Sequence, residues 1–346
     1  MIPVKTATPA LARAINDRLA LDLMLEHGPL TAPQLRTMTG LSRPTVSDLV
    51  ERLTTEGLIE VTGESGGDRR GPKARLYGLI AERAHVAGVD LRRYAAHVEV
   101  ADITGRQAGS AHRDIPSGPL AEVVAEAVTE AAGGHALQTI VIGAPGLVDP
   151  RTGLGSDPLT GPECDGLVPG WRSDLRQAVE SLVGVPVVLE NEVNLASIAE
   201  HRAGAAAGHD DFALLWLDDG VGAGVVLGGR LRRGASGGAG EVGLLNIDGE
   251  TFCDLVETAG TEATVLADRI VKGVFALVAV LDPGLVVLGG GIGRTGGDAL
   301  AAMVAERLDA LSPAPAEIRA TTVEGNAILR GAVLTALDLA RDEIYG

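Results

Sequence analysis

The chain has 346 residues, 46% of them hydrophobic but only 2% aromatic, so its cores must be built mainly from Ala, Val, Leu and Ile. Two cysteines, the lack of a signal-peptide pattern and the lack of a long apolar run exclude a disulfide scaffold and a membrane span, and predict a soluble, cytoplasmic protein. The formal net charge is −17, but residues 1–80 hold 10 Lys+Arg against 9 Asp+Glu, and residues 81–346 hold 19 against 37. The acidic body would repel phosphates and the N-terminal part would not, which indicates two functions on one chain.

The first 80 residues contain the pattern of three helices. Apolar residues recur at helical spacing over residues 9–27 and stop at a Gly-Pro pair. Thr31 and Ser42 can each cap a further helix, and Gly40 and Gly57 can end those two helices. Two helices joined by a short turn, "MTGLS", indicate a helix-turn-helix.

A basic hairpin is predicted directly after the third helix. "LIEV" and "ARLYGL" alternate like strands around a Gly-rich turn, and Arg69, Arg70, Lys73 and Arg75 lie between Ser65 and Leu79. A hairpin in this position is a wing, whose cations can contact DNA phosphates or enter the minor groove. The sequence therefore predicts a winged helix-turn-helix domain over residues 1–80.

The start of the third helix is predicted to read DNA bases. The residues concerned are Ser42, Arg43, Thr45, Val46 and Ser47. Arg can pair with guanine in the major groove of double-stranded DNA. The segment resembles the recognition helix of winged helix-turn-helix regulators of bacteria. The alternative is a three-helix protein-interaction module with a solvated basic loop.

After residue 80 the pattern changes to short apolar strands separated by helices. Helices are predicted over residues 120–132 and 262–280, and "DPGLVVLGGGIGRTG" is predicted to be a strand followed by a Gly-rich loop. Strands that alternate with helices are typical of an α/β fold with mixed sheets. No short-period repeat is visible in the sequence.

An ordered set of segments in the body resembles the ROK family (repressor, open reading frame, kinase). These are "VIGAPGLVDPRTG", "ENEVNLASIAEHRAG", "DDGVGAGVVLGGRLRRG", "GGAGEVG", "DPGLVVLGGGI" and "NAILRGAVLTAL", which together cover residues 85 to 340. The resemblance implies a two-lobed actin-like ATPase body over residues 81–346 that binds an effector and forms oligomers. With a winged helix in front, it also implies a regulator that binds a DNA operator as a homodimer or homotetramer and responds to a sugar or sugar phosphate.

Against the kinases of that family, the phosphate-binding turn is altered. Their first turn reads Asp-x-Gly-Gly-Thr, whereas here Asp90 is followed by Arg92 and Arg93 where the glycines would be. Glycine lets the backbone approach phosphate closely, so arginine side chains would obstruct this approach. The catalytic Asp of those kinases is replaced by Glu192, whose longer side chain would misplace a general base. We therefore expect no catalytic residue, no cofactor and no enzyme activity.

The zinc site of the family is also expected to be absent. Zinc-binding members carry a His after the "AGEIG" motif and then a cysteine cluster, but here Leu244 stands at the His position and Cys253 is alone. A single thiol cannot complete the four N/S ligands that zinc prefers. The sequence predicts no metal, and predicts that Cys253 is a small buried apolar residue.

The resemblance leaves a predicted effector pocket made of carboxylates, one amide and one glycine: Gly146, Asn191, Glu192, Glu241 and Glu257. Carboxylates accept several hydrogen bonds and therefore suit sugar hydroxyls. For Glu192 the alternative is a carboxylate that only favours the start of a helix. The chain is thus predicted to be a sugar-responsive or formerly sugar-responsive transcriptional regulator, most simply a repressor. A sugar kinase with a fused DNA-binding domain and a constitutive DNA-binding scaffold are the alternatives.

Overall fold

The computed structural model of the protein describes residues 9–65, 73–115, 119–156, 168–256 and 261–345. The predicted site residues Arg69, Arg70 and Glu257 lie outside these ranges. None of the helices in the described part of the chain combines the length and the apolar character that crossing a bilayer requires.

The helices are α1 (Pro9–His27), α2 (Ala32–Thr39), α3 (Arg43–Thr55), α4 (Leu120–Ala132), α5 (Leu175–Val183), α6 (Glu192–Ala203), α7 (Phe252–Leu255), α8 (Ala263–Leu281), α9 (Gly290–Leu311) and α10 (Ala327–Tyr345). The strands are β1 (Leu30–Thr31), β2 (Ile59–Glu64), β3 (Arg75–Leu79), β4 (His85–Leu91), β5 (Ala95–Asp102), β6 (Gln107–Asp114), β7 (Leu137–Ala144), β8 (Leu147–Val148), β9 (Gly155–Ser156), β10 (Val187–Asn191), β11 (Phe212–Leu217), β12 (Val221–Leu227), β13 (Arg230–Leu231), β14 (Asn246–Ile247), β15 (Glu250–Thr251), β16 (Leu285–Gly289) and β17 (Glu317–Ala320).

Helices α1 to α3 and strands β1 to β3 form the predicted winged helix. Thr31 caps α2 with a full capping box, in which the Gln34 side chain accepts a hydrogen bond from the Thr31 backbone, and Ser42 caps α3 through the Thr45 amide. Strand β3 pairs with both β1 and β2 to close a three-stranded antiparallel sheet. Arg52 on α3 forms an ion pair with the buried Asp17 on α1, which fixes the packing of these two helices.

The body contains two five-stranded sheets with the same strand order. The first runs β6-β5-β4-β7-β10 and the second runs β13-β12-β11-β16-β17. In each sheet three antiparallel strands are followed by two parallel ones. This repeat defines two lobes, and the α/β class and two-lobed body predicted from the sequence are confirmed. The predicted boundary between residues 80 and 81 falls between β3 and a 3-10 turn at Ala81–Arg83 and stays a prediction.

Helices α6 and α10 lie between the two sheets. Helix α10 packs on β4 and β7 of the first sheet and on α6, and α6 contacts β11 and β12 of the second. The outer faces are covered by α4 and α5 on the first lobe and by α8 and α9 on the second. The central apolar core continues into the winged helix, because Leu21 and Met24 of α1 belong to the same cluster as Leu337 of α10. The N-terminal unit is therefore packed onto the body.

Two local predictions were wrong. The segment after β16 is not a loop, because α9 begins directly at Gly290. A Cβ atom at Gly290 would lie 2.2 Å from the Leu217 carbonyl oxygen, so this glycine allows the start of α9 to lie close to the end of β11. Cys253 is not buried but partly exposed, because α7 is a single turn that leaves it on the wall of a cavity.

A close approach between α6 and α10 generates a stability prediction. A Cβ atom at Gly331 would lie 1.9 Å from the Leu195 carbonyl oxygen, which is backbone and cannot move aside alone. We expect Gly331→Ala to lower the free energy of unfolding by about 1–3 kcal/mol through overpacking, despite alanine's better helix propensity. Urea unfolding measures this. Gly63→Ala, where nothing lies within 4 Å, is the control, and equal stability of the two variants would contradict the packing.

Candidate DNA interface and effector cleft

The exposed start of α3 presents the predicted base-reading residues. Ser42, Arg43, Thr45 and Ser47 are exposed, and the Ser42 and Thr45 hydroxyl oxygens are 2.8 Å apart. Val46 is the exception, since it is 3% exposed and packs in the apolar core of the winged helix. Val46 also lies at the base of the groove that Arg43 lines, so its low exposure leaves little of its side chain for a base contact, and its role in reading bases stays a prediction.

A groove of about 760 Å³ runs between α2, α3 and the wing strands. Three arginines line it: the predicted Arg43 and Arg75, and also Arg36 on α2, which the sequence reasoning missed. Arg36 could have been found from its exposed position on the helix before the turn. Lys73 is exposed and lies 3.6 Å from Glu64 across the hairpin. Three described arginines of the winged helix therefore lie on one concave face, which Glu51 also lines.

The second candidate site lies where strand ends of both lobes meet. In parallel strands, ligands bind at the carboxyl ends. Asp90 is at the end of β4, Glu192 follows β10, and Asp218 follows β11. These three residues come from distant parts of the sequence and approach closely enough for their charges to influence one another.

Asp90 is fully buried and its charge is balanced within the chain. One carboxylate oxygen accepts hydrogen bonds from Arg92 Nε at 2.9 Å and from Asn326 Nδ2 at 2.7 Å, while the other has no partner among the described residues. Although burial alone would lower the pKa of Arg92, the charges of Asp90, Glu192 and Asp218 outweigh burial and raise this pKa. The guanidinium of the neighbouring Arg93 lies 5.6 Å from the ring of Tyr94. Arg92 is therefore the arginine of the predicted phosphate turn that binds Asp90.

Asp218 fills a position where a helix could bind an anion. Its carboxylate accepts hydrogen bonds from the Gly291 amide at 3.3 Å, at the start of α9, and from the Asp219 amide at 3.2 Å. Helix N-termini favour negative charge, and here that charge is supplied by the protein. Beyond it lies a cavity of about 1010 Å³ that Asp219 and Asp254 also line, with no Lys or Arg among the described lining residues.

Glu192 is a predicted pocket residue whose carboxylate lies in the cleft and has no hydrogen bond or ion pair among the described residues. Burial raises its pKa from 4.5 to about 7, and the charge of Arg92 opposes this rise only in part. Burial also raises the pKa of Glu241, which lies in the same cleft and acts on Glu192. These two carboxyl groups are poised to accept or share hydrogen bonds with a bound molecule.

Asn191 has a structural role that the sequence analysis did not include, and its contact with an effector stays a prediction. Its side-chain oxygen caps α6 by accepting from the Val193 and Asn194 amides, and its nitrogen donates to the Gly146 carbonyl oxygen at 3.0 Å. Gly146 has a φ of 94°, which a residue with a Cβ rarely adopts. Asn191 therefore holds the Gly146 turn against the start of α6 and shapes the pocket wall.

An ion pair between the two lobes, with a buried carboxylate and a partly exposed arginine, was missed from the sequence. Glu190, 5% exposed, accepts from Arg233 Nε at 2.6 Å and from Asn194 Nδ2 at 2.9 Å. It thereby joins β10 of the first lobe to the segment after β13 of the second. The signal was available, because a carboxylate at the end of the apolar strand "VPVVLE" must find a partner when buried. The partner, however, is 43 residues away.

Fold and site together define a class: a winged helix joined to a two-lobed body whose cleft is acidic and internally neutralised. The family models agree, with the ROK family matching residues 86–254 and the MarR family matching residues 15–71. The chain therefore carries a ROK family domain and, at its N-terminus, a MarR-type winged helix.

Similar proteins include both branches of that family. The xylose repressor of Bacillus subtilis (strain 168) is 29% identical over 253 residues, which are 70% of this chain and 63% of that protein. The crystal structure of a ROK hexokinase from Thermus thermophilus is 28% identical with a TM-score of 0.60, covering 75% of this chain and 99% of that one. A ROK family transcriptional regulator described as a homologue of the E. coli MLC protein covers 96% of this chain and 99% of its own, with a TM-score of 0.71; at 18% identity it shows the shared fold alone. The chain thus spans less than two thirds of the length of the curated repressor.

The basic face generates a prediction about DNA. The double variant Lys73→Ala/Arg75→Ala should bind every duplex more weakly. The slope of log affinity against log salt concentration should become shallower by about 0.9 for each phosphate that is no longer neutralised. Arg43→Ala should instead reduce discrimination between preferred and random duplexes by about 1–3 kcal/mol. Fluorescence anisotropy over a salt series measures both. Arg172→Ala, an exposed body arginine, is the matched control, and identical behaviour of all variants would rule out this face.

The raised pKa of Glu192 generates a pH prediction. The folded protein favours the neutral carboxyl group of Glu192. The contribution of this group to the free energy of unfolding is therefore largest below pH 4.5 and is lost as the pH rises through about 7. Relative to Glu192→Gln, the wild type should lose at most about 3 kcal/mol between pH 4.5 and 8. Denaturant unfolding at several pH values measures the difference. Glu317→Gln is the control: because the hydrogen bond from Arg319 lowers the pKa of Glu317, its contribution is lost only as pH falls below 4.5, and this variant should follow the wild type between pH 4.5 and 8.

Proposed function

We propose that the protein is a sugar-responsive DNA-binding transcriptional regulator, a repressor, that binds its effector in the cleft and transfers no phosphate. The observation that carries this proposal is the state of the cleft: Arg92 is bound to Asp90, while the Glu192 carboxylate is left without a partner among the described residues. The first feature disfavours nucleotide chemistry and the second favours a ligand.

Three features argue against phosphoryl transfer. Transfer depends on positioning of phosphates and metal by a turn that admits them. Here the Arg92 side chain is held over Asp90, and the Asp218 carboxylate occupies the start of α9. The proposed base position carries Glu192, whose pKa of about 7 would suit a base, but which lies one methylene further out than Asp.

A polar ligand is the best match for the carboxyl groups of the cleft. Glu192 and Glu241 offer acceptors without protein partners in the described residues, and the Gly146 turn is fixed by Asn191. Sugar hydroxyls are suited to such groups, since each can donate to one carboxylate and accept from a neighbour. The similarity to a xylose repressor supports a sugar or sugar phosphate as the class of effector.

The route from cleft to DNA is proposed to run along α10. Asn326 donates to Asp90 and accepts from the Leu329 amide, so it joins the cleft to the first turn of α10. That helix of 19 residues extends about 28 Å to its far end. There Asp342 binds Arg18 of α1 at 2.8 Å, and the Arg18 guanidinium lies over the Tyr345 ring. An effector that displaces Arg92 or Asn326 from Asp90 would change how α10 supports the winged helix.

The proposal predicts binding without turnover. With an operator selected from random duplexes and a panel of pentoses, hexoses, amino sugars and their phosphates, Glu192→Ala should weaken effector binding at least about tenfold, as expected for a hydrogen bond to a charged group. Its operator affinity without effector should match that of the wild type, because the winged helix is intact. Calorimetry and anisotropy measure the two.

The same proteins test the alternatives. The wild type should release no ADP in the presence of any sugar. The variants Glu192→Asp and Arg92→Gly, which each restore one residue type of the kinases, should also release none, because Asp218 still occupies the start of α9. Wild-type turnover above that of Glu192→Ala would establish a sugar kinase. Operator binding with no response to any sugar, and no effect of Glu192→Ala, would establish a constitutive scaffold.

A further inference from the structure

The connector between the winged helix and the body brings together one carboxylate and two imidazoles. Glu82 lies in the 3-10 turn that follows wing strand β3, and His85 is the first residue of β4. His135 lies in the loop between α4 and β7. Because His85 pairs with Leu137 at the start of β7, the strand register carries His135 to the side of His85.

The spacing of these three groups matches a shared ion better than direct hydrogen bonds. Glu82 Oε2 lies 3.6 Å from His85 Nε2 and 3.7 Å from His135 Nδ1, beyond a hydrogen bond in both cases. The three ligand atoms lie within 4.8 Å of one another. Ligands that hold a zinc ion tetrahedrally at 2.0–2.2 Å are separated by about 3.4 Å. Small movements of side chains would bring all three atoms to one ion.

We propose that Glu82, His85 and His135 form a transition-metal site that fixes the connector of the winged helix to the first sheet of the body. Two imidazoles and a carboxylate select Zn²⁺, Co²⁺ or Ni²⁺ over Mg²⁺ and Ca²⁺, which prefer oxygen ligands. Three protein ligands leave a fourth position for water. This site is distinct from the cysteine-based zinc site that the sequence lacks.

The burial of the three groups fits this role. His85 is 3% exposed and therefore provides a rigid ligand, whereas His135 and Glu82 are exposed and can close on an ion from solvent. The imidazole rings are stacked, with centroids 4.1 Å apart and planes at 28°. Coordination of one ion requires these planes to open, and the movement falls to the exposed His135. Binding would then restrain Glu82, which follows closely after Leu79 at the end of the wing.

The test uses full-length, tag-free protein stripped of metal with a chelator. Titration with Co²⁺, followed by visible absorption, and with Zn²⁺, followed by calorimetry, should each saturate at one equivalent per chain. Loss of a residue that only hydrogen-bonds to a metal ligand typically lowers metal affinity about 10–100-fold. Loss of a ligand itself should cost at least as much, so His135→Ala and Glu82→Gln should each weaken binding by more than about tenfold. Zn²⁺ should raise the melting temperature of the wild type and not that of His135→Ala.

Two control variants decide whether the ion is at this position. His27→Ala removes an exposed imidazole that lies 3.7 Å from Glu26, a histidine–carboxylate pair outside the proposed site, and should bind as the wild type does. Cys253→Ser should also bind normally. Absence of saturable binding, retention of wild-type affinity by His135→Ala, or loss of binding in Cys253→Ser would each overturn the assignment. None of these outcomes depends on effector or operator, so the test is independent of the proposed regulatory function.

Discussion

The buried carboxylate of Asp90 is the constraint on which the cleft is organised. A charge inside a protein is destabilising unless it is paired and hydrogen-bonded, and Asp90 is 0% exposed. Its two partners come from opposite ends of the body: Arg92 is two residues away, and Asn326 is 236 residues away at the start of α10. By binding Arg92 and Asn326, Asp90 thus orients the altered phosphate turn and anchors the start of α10. A ligand that competes for either partner would alter both.

The architecture explains why such distant residues meet. Both lobes repeat the order of three antiparallel and two parallel strands, and each repeat points its strand ends at the cleft. The repeat is invisible in the sequence, because a shared topology needs only apolar strands and turns in the right order. The order of the segments was enough to predict the α/β body and the winged helix, since helix caps such as Thr31 and Ser42 act locally. These parts of the fold depend on short-range chemistry.

What could not be predicted depends on contacts across long stretches of chain. The partner of Glu190 is on the other lobe, and the neighbours of His85 are set by the pairing of β4 with β7. Burial within the predicted base-reading set could not be predicted either, because four of its residues are exposed whereas Val46 packs in the core of the winged helix. The two arginines of the phosphate turn differ for a related reason: Arg92 binds the buried Asp90, and the Arg93 guanidinium lies against the Tyr94 ring. Residue types indicated the chemistry, and tertiary packing selected which residues express it.

The cleft is unfavourable for a protein that needs it only as structure. Glu192 is held where burial raises its pKa to about 7, which disfavours the charged carboxylate in the folded protein. A helix start gains little from such a group, typically about 0.3–1 kcal/mol, and Asn191 already caps α6. The cost of burying Glu192 therefore exceeds its gain at the helix start. This favours a role in which a bound ligand offsets that cost by hydrogen bonding to the Glu192 carboxyl group. Under the proposed function, phosphoryl transfer and sugar binding can separate, because Arg92 and Asp218 are each bound within the protein, whereas Glu192 and Glu241 have no side-chain partner among the described residues.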